Sequence, residues 1–333
     1  MTYLVSPLLA PTPAKPNGSP AFFISLSGLL ILGQTAFENG LALSITVLAL
    51  FLSYKMLNIC DLSTDGCFTL GATVGGVVAL SGHPYLSIFA AMGAGILSGF
   101  VTALLQTKMG VDSLLAGIIV NTGLYSVNIA VMKGAAFLNL NQCETVFTKA
   151  KLMLRESFLA KQYKLFVLII AVALVVVFLS LFLKTRLGLS LRATGNNMSM
   201  VKASSINTDN MIILGLCLSG SLTALSGCLT AQMNKSTTAD IGNGNVTIAL
   251  ASLLIGEVFL SRGSIHIRAI GAVLGSVVFQ IVYAIAVRMN MPAFMLKLVS
   301  SVIVVLAIFI PYLKKQYPSF KRQLEAMRRA KNG

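Results

Sequence analysis

The chain has 333 residues, of which 56% are hydrophobic and only 11% charged, with a mean hydropathy of +0.85. A soluble domain carries about a quarter charged residues, so these values exclude one and indicate an all-α polytopic membrane protein; the apolar runs are too continuous for the alternating strands of a barrel. The net charge of +15 is no nucleic-acid signal, because aromatic and basic residues are not interleaved and the positives gather at span ends and in the tail, as retention of Lys and Arg in the cytoplasm during insertion would place them.

Residues 1–20 are Pro-rich with a single Lys15 and read as a disordered tail. Ala21–Phe37 is apolar and lacks a small-x-small cleavage site, so it stays in the mature chain as a span or, because Ser25, Ser27 and Gln34 interrupt it, as an interfacial helix. Gly40–Leu57 is the first strong span. Gly66–Leu80 is short and rich in glycine, and Leu86–Thr107 and Ser113–Met132 follow. A mixed-charge loop runs from Lys133 to Lys164. After it come Leu165–Leu183, a polar stretch, and then Met211–Ala231, Val246–Leu260, Ile267–Val287 and Leu296–Leu313. The expected total is about eight to ten transmembrane helices, of which Gly66–Leu80 and Val246–Leu260 fall short of the roughly 20 residues a full span needs. The plan is a tail at 1–20, one transmembrane domain at 21–313 and a basic tail at 314–333. Gly71 with Gly75, Gly95 with Gly99, and Gly271 with Gly275 have the spacing that lets helices approach closely in lipid.

Charge sets the expected orientation. The tail after Leu313 holds Lys314, Lys315, Lys321, Arg322, Arg328, Arg329 and Lys331 against Glu325 and belongs in the cytoplasm, with the chain in the inner, cytoplasmic membrane. Four spans separate it from the stretch Lys184–Asp209, which is therefore cytoplasmic too and is also basic. The Lys133–Lys164 loop must then face outside, although its six positives against two negatives run against the rule.

Within the cytoplasmic stretch, Gly195 permits a sharp turn and Asn196 or Asn197 can cap a short helix. Met198, Val201 and Ala203 then give that helix a small apolar side outside the membrane, suited to a groove in a partner protein. Inside the membrane, Asn58-Ile59-Cys60-Asp61-Leu62-Ser63-Thr64-Asp65 precedes one short segment, and Glu257 lies within the other. Charges at that depth face a cavity or a partner, and paired short segments are the mark of discontinuous helices lining a substrate path. Asn58, Asp61, Ser63, Thr64, Asp65, Asn121 and Glu257 are thus candidates for a pathway or gate. The same pattern fits Asp61 and Asp65 as helix caps, Asn121 as an interhelical hydrogen bond, and Glu257 as a structural one.

No catalytic or metal site is expected. The five cysteines and two histidines form no ligand pattern, and there is no H-E-x-x-H and no phosphate-cradling G-x-x-x-x-G-K-[ST]. The chain is expected to hold no cofactor, and any ATP would be hydrolysed by a separate subunit.

Leu191-Arg192-Ala193-Thr194-Gly195-Asn196-Asn197-Met198, continuing to Ala203-Ser204-Ser205-Ile206-Asn207, resembles the coupling segment of permeases of ATP-binding-cassette importers. Leu57 to Ala72, Gly215 to Gly227 and Ile248 to Glu257 are similar to further motifs of the tryptophan/tyrosine permease branch, which is related to the branched-chain amino acid and ribose permeases. The resemblance covers residues 35 to 313. The Pro-rich N-terminus is extra, and Cys60 stands where the family motif usually has Pro. The resemblance implies a homodimer of this chain, two cytoplasmic ATPases and an extracytoplasmic binding protein that delivers a small solute, an amino acid and possibly an aromatic one. It places Arg192, Gly195, Asn196, Asn197, Met198, Val201, Lys202, Ala203, Ile206 and Asn207 against the ATPase. The alternatives are a sugar or nucleoside importer of the same fold, an ion-coupled transporter with Asp61, Asp65 and Glu257 as proton or sodium sites, and a membrane protein with no transport role.

Overall fold

A computed structural model describes residues 26–153, 162–260, 264–288, 295, 298–306 and 309. The elements are α1 (Leu26–Leu50), a π-helical turn (Phe51–Met56), α2 (Thr64–Leu80), α3 (Pro84–Thr107), α4 (Ser113–Val131), β1 (Phe137–Asn139), α5 (Val146–Met153) and α6 (Tyr163–Phe182). They continue with α7 (Arg186–Asn196), α8 (Met198–Ala203), α9 (Thr208–Asn234), β2 (Ser236–Thr238), α10 (Asn245–Leu260) and α11 (Ile265–Arg288), and residues 298–306 are again helical. Among the described residues six helices are long and apolar enough to cross a membrane, while α2 and α10 are shorter apolar helices. This is the expected multi-pass α-helical membrane protein. The tail segments 1–20 and 314–333 lie outside the described residues.

Two expectations are corrected. Ala21–Phe37 and Gly40–Leu57 are not separate segments: from Leu26 onward the chain is one continuous helix through Met56. The polar residues that suggested a break are satisfied within the helix, because Gln34 Nε2 donates to Glu38 Oε1 at 2.9 Å one turn away. Gly40 makes a contact rather than a turn, with a Cβ there meeting the Val277 backbone of α11. The Lys133–Lys164 loop is also more ordered than expected. It contains α5 and β1, and β1 pairs antiparallel with β2, Phe137 opposite Thr238. Leu140 and Phe147 are buried beneath this cap.

Helix starts follow local chemistry. Pro84 opens α3, where its missing N–H costs nothing. Asp112, Thr185, Asn197 and Asn207 cap α4, α7, α8 and α9 by accepting from backbone N–H groups.

Helix α9 forms the centre of the bundle and is buried along most of its length. Ser219 Oγ donates to the Ala49 carbonyl and Ser226 Oγ to the Ala42 carbonyl, so α1 runs antiparallel to it. Gly71 packs on the Ala224 backbone and Gly75 on Cys228, so α2 runs parallel to α9; Gly95 on Gly220 and Gly99 on Leu216 set α3 antiparallel. The predicted glycine pairs are therefore contact surfaces, and Gly271 and Gly275 do the same between α11 and α10. The arrangement repeats with inverted direction. The unit α1–α2–α3 corresponds to α9–α10–α11, with Gly40 matching Gly220, Leu80 matching Leu260 and Gly95 matching Gly275 at a constant spacing. Gly40 and Ser276 join α1 to α11 as Gly220 and Gly95 join α9 to α3. The two short helices α2 and α10 thus run in opposite directions, and their N-termini meet.

Candidate functional site

The meeting point of α2 and α10 is built around two carboxylates. Asp65, in the first turn of α2, accepts from Val246 N at 2.7 Å and Gly244 N at 2.9 Å, so it caps α10 from the other half of the chain. Thr69 Oγ1, one turn on, accepts from Gly242 N at 3.1 Å. Gly242 lies so close to the Asp65 carbonyl that a Cβ would overlap it. Asp61 is buried and accepts from Ser63 N at 2.8 Å and Ser63 Oγ at 2.6 Å, while Thr64 Oγ1 donates to the Asp61 carbonyl. The loop is held from two sides: Thr102 Oγ1 of α3 donates to Ser63 Oγ, and Gly117 of α4 presses on Leu62. Asp61, Ser63, Thr64 and Asp65 are therefore brought together; Asp65 caps α10, whereas Asp61 closes a turn onto Ser63 and caps no helix.

Beside this juncture is a cavity of about 240 Å³ between α2, α4 and the loop before α10, with Thr69, Asn121, Thr122, Tyr125, Asn128 and Asn243 among its lining. Asn121 lines this cavity, and among the described residues it makes no hydrogen bond to α2. Asn128 Nδ2 donates to the Gly66 carbonyl at 3.3 Å, which fixes the orientation of the amide and leaves its buried Oδ1 without a partner. The sequence reading missed Tyr125 and Asn128. Their signal is visible in retrospect, since Asn121, Tyr125 and Asn128 recur at i, i+4 and i+7 on one face of a membrane helix.

Glu257 lies elsewhere. It is at the far end of α10, paired with Lys55 Nζ at 2.8 Å and Arg268 at 3.3 Å, and Arg268 sits 5.8 Å from the Phe51 ring. These are partly exposed groups at the α7–α8 end of the bundle, not at the α2–α10 juncture. Asn58 is at this end too, in a left-handed conformation (φ 57°) that closes the π-helical turn and that Asn tolerates well. Lys55 and Arg268 were not singled out from the sequence because single charges at the ends of apolar spans are ordinary.

The α7–α8 pair touches that turn directly. Gly195 is inside α7, not at a turn as expected, and a Cβ on it would overlap the Met56 carbonyl and the Leu57 backbone. Asn196 is the last residue of α7. Asn197 Oδ1 accepts from Met200 N at 3.1 Å, the expected cap of a short helix. Val201 does not face outward: it is 4% exposed, whereas Met198 and Met200 are 41% and 68% exposed. Val201 anchors α8, and the methionines form its outer apolar side. Lys202 and Ala203 are exposed with them, Arg192 and Ile206 are half-buried, and Asn207 caps α9.

The fold and site define a multi-pass α-helical membrane protein in which two inverted half-helices meet at a polar juncture. A profile described as branched-chain amino acid transport system / permease component matches residues 37–310, and the chain belongs to that permease family. It is 30% identical over 284 residues, 84% of its length and 90% of the relative's, to a tyrosine transport system permease protein of Clostridioides difficile. It is 31% identical over 229 residues, 68% of its length and 78% of the relative's, to an uncharacterized protein of Rickettsia prowazekii. It is 26% identical over 208 residues, 62% of its length and 55% of the relative's, to an autoinducer 2 import system permease protein of Yersinia enterocolitica. No solved structure gives a significant match.

Proposed function

We propose that this chain is the membrane-spanning subunit of an ATP-binding-cassette importer, that it carries a small solute, and that an amino acid, aromatic by analogy with the tyrosine permease, is the first candidate. The observation that carries the reading is the seating of α7 on the end of α1 with Met198 and Met200 left exposed beside it. An exposed apolar pair on a short helix outside the bundle is a docking feature, and its backing is continuous with the helix that leads into the α2–α10 juncture. The ATPase would dock on Met198, Met200 and Lys202, with ATP bound by that partner and no cofactor held by this chain. The α7–α8 end and the C-terminus would then be cytoplasmic, and the β1–β2 cap would face the binding protein.

A second copy is supported by α4. Thr122 and Tyr125 are exposed in the middle of this helix, beside the cavity. The Thr122 hydroxyl is satisfied by the Ile118 carbonyl, but a Tyr125 hydroxyl open to hydrocarbon is expensive, so this face is better covered by another protein than by lipid. The relationship to an autoinducer permease keeps a sugar-like solute as the second reading. An ion-coupled transporter is less well supported, because Asp61, Asp65 and Glu257 are each occupied by backbone N–H groups or by cations.

The test is purification of the tagged chain from native membranes in mild detergent. Co-purification of an ATPase and a solute-binding protein is expected. Recovery of the chain alone, with uptake that follows an ion gradient and survives ATP depletion, would reject the importer reading.

A further inference from the structure

The stretch Lys133–Lys164 carries six positives against two negatives, and the stretch Lys184–Asp209 is basic as well. Helix α9 separates them. Val146 N of α5 donates to Gln232 Oε1 at 2.9 Å near the C-terminus of α9, whereas Asn207, just after α8, caps its start. A membrane-crossing helix has its ends on opposite sides, so cytoplasmic retention of Lys and Arg accounts for only one of the two basic stretches. In the first, lysines pack on tyrosines that open two spans. Lys149 Nζ lies 5.5 Å from the centroid of the Tyr85 ring, and Lys151 Nζ 5.8 Å from that of Tyr163. Tyr85 is the second residue of α3 and Tyr163 the first of α6, and both helices are long and apolar enough to cross a membrane. Tyrosines at span ends sit at the level of the lipid headgroups, so the two ammonium groups held against them sit there too. Phe147 is buried and, with the Gln232 bond, fixes α5 to the bundle, while Leu152 and Met153 at its far end are 60% and 90% exposed. Exposed apolar side chains beside lysines at headgroup level are the pattern of a helix lying in the lipid–water interface. Glu144 meets Lys149 at 3.5 Å; among the described residues Lys133, Lys151 and Lys164 form no ion pair with a carboxylate.

We infer that α5 is an interfacial anchor on the side of the membrane opposite α7–α8, with Leu152 and Met153 among the acyl chains and Lys149 and Lys151 on the phosphates of anionic phospholipid. The surplus of positive charge favours an anionic headgroup over a zwitterionic one, and the exposed apolar pair favours a bilayer over the acidic face of a protein. The inference rests on the membrane-spanning fold and not on the importer reading, so either can fail alone.

The chain contains no tryptophan, so Met153→Trp introduces a single fluorophore at the tip of α5, and Leu152→Trp is a second reporter. Each full-length variant is placed in nanodiscs of phosphatidylcholine alone or mixed with phosphatidylglycerol, with lipids brominated near the headgroup. Brominated lipid should quench the tryptophan strongly, and acrylamide in the water should quench it weakly. Each lysine near an anionic surface favours the seated helix about fivefold, so lipid quenching should be stronger with phosphatidylglycerol. Lys149→Glu with Lys151→Glu should bring it down to the phosphatidylcholine level or below, and salt at about 1 M should act likewise by screening the charges. Because Lys149 also pairs with Glu144, Lys151→Glu alone is the second variant; it breaks no ion pair among the described residues and should act in the same direction. Quenching of both reporters by acrylamide and not by brominated lipid would overturn the placement of α5 and leave its basic face to an acidic protein partner. Equal lipid quenching in the two bilayers, unmoved by charge reversal or salt, would overturn the contact with anionic headgroups.

Discussion

The α2–α10 juncture within the bundle and the π-helical turn that continues α1 both gather charged residues, but they hold them in different ways. At the juncture the carboxylates of Asp61 and Asp65 accept from backbone N–H groups at fixed positions, within loops pinned by Thr69, Thr102 and Gly117. At the π turn, Glu257 is held by the long side chains of Lys55 and Arg268, each partly open to solvent. Backbone caps allow one geometry. Flexible ion pairs allow several at little cost, and π-helical turns recur at functional positions. The difference suggests a division of labour: the juncture fixes where the half-helices meet, and the π turn is where movement imposed on α7 can be absorbed.

Variants can break or sharpen that contrast. The largest effect is expected from Gly71→Leu. Its Cβ would overlap the Ala224 backbone, α2 would be forced off α9, and the detergent-solubilised protein should lose about 3 kcal/mol or fail to accumulate, as read by thermal melting. Asp65→Ala should come next. It orphans the Val246 and Gly244 N–H groups, of which the second is exposed, for a loss of about 2 kcal/mol; Asp65→Asn keeps one acceptor oxygen and should lose roughly half as much. Asp61→Ala removes the acceptor of the Ser63 N–H in a local turn and should cost about 1 kcal/mol. Glu257→Gln should be mildest, within about 1 kcal/mol, because the pair is partly solvated. If Glu257→Gln unfolds the chain and Asp65→Ala does not, the assignment of rigid and adjustable ends is reversed.

Much of the fold could be read from composition and spacing because lipid enforces long apolar runs. The short segments before Leu80 and Leu260 were recognised as interrupted helices for the same reason. What remained hidden depended on contacts across the chain. Asp65 and Val246 are far apart in sequence, so a carboxylate preceding α2 gave no sign that it would cap α10. Glu257, placed by hydropathy at membrane depth, belongs to an end cluster because α10 starts within the bundle and finishes at its edge. Gly195 suggested a turn by residue type, whereas its lack of a side chain is used for close approach to Met56. Val201 and Met200 were interchanged because a helix as short as α8 has no periodicity from which to tell the inner face from the outer.

The most direct test of the account is the pair of substitutions Met198→Asp and Met200→Asp, each assayed in the chain purified with its partners and reconstituted into liposomes. Both side chains point outward, so the melting temperature of the chain should be unchanged. ATPase co-purification, or solute uptake per ATP hydrolysed, should fall about tenfold or more in each. Unchanged association and unchanged uptake in both variants would contradict the proposal that α8 is the surface on which an ATPase drives this permease.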